Sequence, residues 1–189
     1  MDADDSRFKQ AIDLIDAANA ADPAGKELLY SQRMSAWLER IDPSASIALR
    51  LATRAQHIRR WMIPRSDYPM DRIGYLKWRT TLYKFHADEV ARILKDVGYD
   101  EETTQRVAAL VRKERIKTEA EAQTLEDVIC LVFLENYFAE FAAAHEDEKV
   151  IGILRKTWKK MSEGGHELAL ALPIPEAARR LVERALSGD

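Results

Sequence analysis

Arg54-Ala-Gln-His57-Ile-Arg-Arg-Trp61 closes an apolar helical pattern that begins near Ile47, and sets one histidine among three arginines and a tryptophan. Residues three and four apart share a helix face, so Arg54, His57, Arg60 and Trp61 stand together. Two later points answer to this stretch. His86, in Tyr83-Lys84-Phe85-His86, shares its face with Arg79, Leu82, Tyr83, Glu89 and Val90. Asp127 opens the run Val128-Ile-Cys-Leu-Val-Phe-Leu134. Two histidines and a carboxylate from three helices, meeting inside a helical domain, are the expectation that organises the rest of the chain.

Upstream, Ser6 to Ala20 carries Phe8, Ala11, Ile12 and Ile15 at helical spacing, and Asp22-Pro23 stops it. Glu27 to Ile41 follows, with Met34, Trp37, Leu38 and Ile41 on one face. Asp42-Pro43-Ser44 breaks the pattern, and Ser44 or Ser46 caps a third helix expected to reach about Met62. Pro64 and Pro69 bracket the loop Ile63 to Asp71, the longest stretch without a period; connections of that length often carry function.

Downstream, Arg72 to Val97 reads as one helix, closed by Gly98 in a left-handed position with Tyr99 after it. Asp100 caps a fifth helix, to about Arg115, with Glu101 and Glu102 in its first turn. A polar bridge, Lys117 to Gln123, leads to a buried sixth helix, Thr124 to about Ala144, apolar on all sides between Val128 and Leu134. A seventh runs from Glu146 to Met161, with Gly164-Gly165 as its stop. Leu168 to Leu172 reads as a short turn, and Pro175 starts the last helix, to about Leu186. No stretch alternates with period two. The expected fold is all-α, a single domain over residues 1–189 with about seven or eight helices.

Composition agrees. Seven glycines and six prolines are few, which favours long helices, and 47% hydrophobic content suffices for one core. A net charge of −3 excludes nucleic-acid binding by bulk charge along an extended track. Locally the balance differs: between Arg54 and Lys84 eight Lys or Arg stand against two Asp. Cys130 is the lone cysteine, so a reducing compartment is expected. No apolar run approaches a bilayer span and the acidic N-terminus is unlike a signal peptide, so the expected location is cytoplasmic with no membrane partner.

The chemistry-bearing residues have competing readings. His57 and His86 serve either as metal ligands or as packed histidines satisfied by a carbonyl. Asp127 either points inward to partners or caps its helix, as Thr124-Leu-Glu-Asp127 resembles a capping box. The cations Arg54, Arg59, Arg60, Arg65, Arg72, Lys77, Arg79 and Lys84 alternate with Trp61, Tyr68, Tyr75, Trp78 and Tyr83. Such a cluster is either a solvated face or a site for a small phosphate-bearing anion, held by guanidinium forks with rings that stack. No HExxH, ExxH, CxxC, Walker-type or GxGxxG pattern is present.

The chain resembles the domain-of-unknown-function family 4202. The resemblance is carried by Ala17-Ala-Asn-Ala20, Glu27-Leu-Leu-Tyr-Ser-Gln-Arg-Met34, Ala55-Gln-His-Ile-Arg-Arg-Trp61, Ile63-Pro-Arg65, Lys84-Phe-His86 and Leu125-Glu-Asp-Val128. More distantly, the order of elements looks like an HD-domain metal-dependent phosphohydrolase. On that resemblance Tyr30-Ser31 falls where a first His is expected, Gln56-His57 where the His-Asp pair is expected, and Glu114 near another His position. His86 and Asp127 match a later His and the final Asp.

The resemblance implies a divalent metal on His57, His86 and Asp127, and hydrolysis of a small phosphorylated compound or nucleotide. Arg54, Arg59, Arg60, Arg65, Arg79 and Lys84 would hold the anion, and Tyr30, Gln56, Trp61 and Tyr68 would line the pocket. The other reading is a binding module for a small anion or nucleotide, without catalysis. In either case the loop Ile63 to Asp71 is expected to form a wall of the pocket.

Overall fold

The computed structural model describes residues 3–115 and 118–187, and the described residues are all-helical, with no strand. The start of the expected polar bridge, at Lys117, lies outside them. None of the described helices is long and apolar enough to cross a membrane. The chain divides into two compact units, Met1–Ala122 and Gln123–Asp189.

The first unit packs five helices: α1 (Ala3–Ala20), α2 (Glu27–Ile41), α3 (Ile47–Ala55), α4 (Arg72–Val97) and α5 (Glu101–Val111). Helix α4 packs on α5 and α1, and α3 packs on α1, α2 and α5. The core follows helical spacing. In α1 it is Ala11, Ile15 and Ala18; in α4 it is Trp78, Leu82, His86, Val90 and Leu94, each four residues after the last. His86 therefore occupies a core position by register. Its burial is set by the helix that carries it.

Start and stop signals act as the local chemistry requires. Ser46 accepts the Leu49 N–H at 3.1 Å and Asp100 accepts the Thr103 N–H at 2.7 Å, each satisfying a helix donor that the backbone leaves open. Gly98 sits at φ 89°, and the Gly98 and Tyr99 N–H groups donate back to Lys95 and Leu94.

The largest departure from the sequence pattern is the end of α3. It stops at Ala55, seven residues short of Met62, and a 3-10 turn follows over Arg60–Met62. Arg59 adopts the left-handed conformation, φ 52°, and its N–H donates to the buried Asn19 Oδ1 at 3.2 Å. That acceptor, at the end of α1, takes the donor that a continuing helix would send to Ala55. The apolar period carries on to Ile58, which is fully buried, but as a turn. Helix α5 likewise ends before Arg115. Lys113 (φ 60°) takes the left-handed position, and Glu114 N–H returns to the Ala109 carbonyl at 3.1 Å.

The loop after α3 is fastened down rather than free. A second 3-10 turn spans Arg65–Asp67. The indole N–H of Trp78 donates to the Ile63 carbonyl at 2.8 Å, and Arg65 donates to the Tyr68 and Asp71 carbonyls at 3.0 and 3.3 Å. Asp71 caps α4 by accepting the Gly74 N–H at 2.7 Å.

Helix α6 (Ala120–Asn136) begins four residues before Thr124, so Thr124 is not a cap and Asp127 lies two turns inside the helix. The second unit continues with α7 (Phe138–Ala143), α8 (Asp147–Trp158), α9 (Glu163–Leu170) and α10 (Glu176–Ser187). Gly164-Gly165 does not follow a helix; it belongs to the first turn of α9, which Ser162 caps by accepting the Gly165 N–H at 3.0 Å. The reason is space. A Cβ on Gly165 would stand 2.8 Å from Asp127 Oδ1. Helix α9 can approach the acid only because position 165 has no side chain.

Candidate functional site

The first unit gathers His57, His86, Arg60, Arg79, Tyr30 and Glu27. The His57 ring lies flat on Tyr30, with centroids 4.0 Å apart and 9° between planes. The His86 ring is 6.0 Å away. His57 Nε2 lies 3.3 Å from Arg60 Nη1, and His57 Nδ1 lies 3.6 Å from Glu27 Oε2. A guanidinium can only donate, so Nε2 accepts and the ring proton sits on Nδ1, facing the carboxyl group. Burial, and then the charges of Arg60, His86, Lys113 and Arg79, hold this imidazole well below the usual histidine range. It is neutral at physiological pH.

His86 is 1% exposed, and its Nδ1 donates to the Ile58 carbonyl at 2.7 Å. Its Nε2 has no partner among the described residues. Burial brings its pKa down to about 4, with Arg60 acting in the same direction and the Ile58 bond opposing. This ring too is neutral.

Around these rings the charge is positive. Arg60 stands over Trp78 at 4.8 Å, and burial pulls the pKa of its guanidinium down. Arg79 donates to the Tyr83 hydroxyl and stands over Tyr75 and Tyr83. Lys113 lies over the same Tyr83 ring at 5.7 Å. Neither Arg60 nor Arg79 has a carboxylate within ion-pair distance among the described residues. An acid beside the His57 ring is Glu27, raised to about 7, first by burial and further by Asp22 against the pull of Arg60 and Lys26.

Other sequence candidates are used elsewhere. Arg54 forks onto Asp16 at 2.7 and 2.6 Å and reaches Ser35 at 3.3 Å, which ties α3 to α1 and α2. Arg59 pairs with Glu89 at 3.4 Å, and Arg65 is held by loop carbonyls. Lys84 is exposed, while Trp61 and Tyr68 are half-buried. Gln56 is buried with its Oε1 unpaired among the described residues. Glu27 and Lys113 belong to the cluster and were not singled out from the pattern. Glu27 reads as an ordinary helix start, and Lys113 as the fraying end of α5.

Asp127 lies in the second unit, 5% exposed, and its partners there account for it. Oδ1 accepts the Ser162 N–H at 2.8 Å and a Gln123 amide at 3.1 Å, and Oδ2 accepts the Ser162 hydroxyl at 2.5 Å. Helices α6 and α9 are thus joined through one carboxylate and the residue that caps α9.

These groups suit an anion better than a divalent cation. His57 Nε2 faces a guanidinium, His86 Nδ1 carries a proton bonded to a carbonyl, and Asp127 is occupied by three donors. That leaves the His86 Nε2 lone pair as the one open nitrogen of the two rings. Among the described residues no three His, Cys, Asp or Glu are grouped to hold a metal ion.

A model of the family described as a domain of unknown function, DUF4202, matches residues 9–182. The chain belongs to that family. The match takes in every residue of the His57–Arg60–Arg79 cluster and the Asp127–Ser162 network alike, so this chain carries both within the matched stretch. No curated protein and no solved structure matches it.

Proposed function

We propose that this DUF4202 chain binds a small phosphorylated anion in the first unit, with Arg60, Arg79 and Lys113 as the positive wall and the neutral His57 beside them. The observation that carries this reading is the pair of guanidiniums without carboxylate partners, set against a neutral imidazole and aromatic rings. A phosphate there would replace water on cations already half withdrawn from solvent, where a charge-assisted bond is strongest. The HD-like arrangement enters this reading as a helical scaffold only. Metal-assisted hydrolysis of the same class of ligand would need donors that His57 and Asp127 spend on other partners; binding needs none of them.

Calorimetry with inorganic phosphate, a sugar phosphate and a nucleoside monophosphate tests the proposal. A bidentate guanidinium–phosphate contact is worth about 1.5–3 kcal/mol. Arg60→Ala is therefore expected to weaken a bound panel member about tenfold or more, while Arg180→Ala, on the exposed face of α10, leaves affinity unchanged. A panel without a single binder overturns the reading.

The site also sets a pH dependence. Glu27 titrates near pH 7, whereas His57 and His86 stay neutral through that range. Lowering the pH from 8 to 6 removes one negative charge beside the anion. Affinity for sulfate, which keeps its charge, is expected to rise several-fold, and Glu27→Gln is expected to flatten the profile. Because Glu27 is raised in the folded state, its contribution to stability is present at low pH and lost as pH rises through about 7. Glu27→Gln should accordingly stabilise the protein more at pH 8 than at pH 6. A sulfate affinity independent of pH in the wild type would count against the role of Glu27.

A further inference from the structure

We propose that the Arg60–Arg79 site selects oxyanions that bring a hydrogen-bond donor of their own, a protonated phosphate rather than a bare dianion, through the unpaired Nε2 of His86. The inference rests on the anion-binding reading above and deepens it.

The orientation of the His86 ring is set from two sides. Position 86 belongs to the buried stripe of α4, and Nδ1–H donates to the carbonyl of Ile58, itself fully buried in the turn after α3. Turning the ring over would replace Nδ1 by the carbon Cδ2 and lose that bond, and moving the proton to Nε2 would put a lone pair against the carbonyl oxygen. With Nδ1 committed as donor, Nε2 in the neutral ring can only accept. A buried acceptor without a partner is unusual, since buried polar groups are nearly always paired.

The rings beside His86 do not supply what Nε2 lacks. The His57 ring, 6.0 Å away, has its own Nε2 occupied by Arg60 and its Nδ1 proton turned to Glu27. The Phe85 ring, 5.8 Å away, offers no polar hydrogen. A ligand at Arg60 arrives beside these rings with negatively charged oxygens, and an oxygen lone pair facing the Nε2 lone pair repels it. A P–O–H group reverses the sign of that contact. Its proton goes to Nε2 while the remaining oxygens receive the guanidinium donors.

Nε2 is not open to solvent, so contact with it comes with a shift of a neighbouring side chain, and the partly exposed His57 ring is the one beside it. Such a bond is made out of water, where a missing donor discriminates most strongly between otherwise similar ligands.

Phosphate and sulfate isolate this donor. They are tetrahedral ions of similar size, and near neutral pH phosphate keeps at least one proton whereas sulfate keeps none. Calorimetry on the full chain at pH 7, at matched ionic strength, is expected to show phosphate bound about tenfold tighter than sulfate. In His86→Phe the preference should vanish, with sulfate affinity changed by no more than about twofold. His86→Gln, whose amide can donate to the Ile58 carbonyl and still offer an oxygen, should retain part of the preference. Should His86→Phe fail to fold, the wild-type ratio and the His86→Gln ratio decide. Equal affinities in the wild type, or a preference that survives His86→Phe, overturn this inference and leave the anion site standing. Binding of neither ion also overturns this inference, and the anion-binding reading falls with it only if the sugar phosphate and the nucleoside monophosphate fail to bind as well.

Discussion

Replacing Asp127 by alanine is expected to destabilise the second unit by about 3 kcal/mol, from the loss of buried hydrogen bonds to a charged acceptor. The substitution does more than remove a carboxylate. It leaves the Ser162 N–H and hydroxyl without their acceptor, and Ser162 is the residue that caps α9. The Gln123 amide keeps its bond to the Lys160 carbonyl at 2.8 Å but loses the one to the acid. The space that Gly165 leaves for the carboxylate becomes a void. Chemical denaturation of the full chain reads the loss. Asp127→Asn, which keeps the shape and one acceptor oxygen, should recover part of it. A loss below about 1 kcal/mol for the alanine variant would show that α9 is held by other contacts.

The second large effect is expected at Gly74, where alanine should cost about 2–3 kcal/mol. On an exposed helix the same change would stabilise by up to about 1 kcal/mol, because glycine loses more backbone freedom on folding. Here the added Cβ would stand 2.1 Å from the Pro69 carbonyl oxygen and 2.8 Å from its carbon. Both are backbone atoms, so no rotamer change relieves the clash. Either the first turn of α4 unwinds or the loop lifts away from it. The loop is also held by Trp78 and Arg65, so lifting it breaks further bonds. A melting temperature equal to or above that of the wild type would show that the loop yields at no cost.

The regular part of the fold was legible in local pattern. The limits of α2 and α4, the left-handed Gly98 and the Asp100 cap all follow from residues within one turn of the feature they set. What could not be read depends on partners far along the chain. The end of α3 is decided by Asn19, forty residues before Arg59, and no glycine or proline marks it. The Gly164-Gly165 pair looks like a stop until Asp127 is known to need the room.

The histidine pair illustrates the same limit within the site. His57, His86 and Asp127 were expected to meet because a buried acid needs partners; the two rings lie 6.0 Å apart, whereas Asp127 finds its partners in Ser162 and Gln123. The surroundings were not readable, because spacing says nothing of where a ring nitrogen points. Nor does it reveal that Lys113, in the turn after α5, and Glu27, at the start of α2, complete the electrostatics.

The non-glycine residues with positive φ among those described are Arg59, Lys113 and Arg115, and all three are cations. Glycine would take that backbone shape without the penalty of roughly 1–2 kcal/mol that a Cβ brings. At Lys113 the side chain lies over Tyr83 and its charge bears on His57; at Arg59 it pairs with Glu89. The most permissive residue for the main chain is therefore the one these corners cannot use. A library that rewards stability alone would drift toward glycine at both positions, and one that also rewards ligand capture would hold position 113 basic.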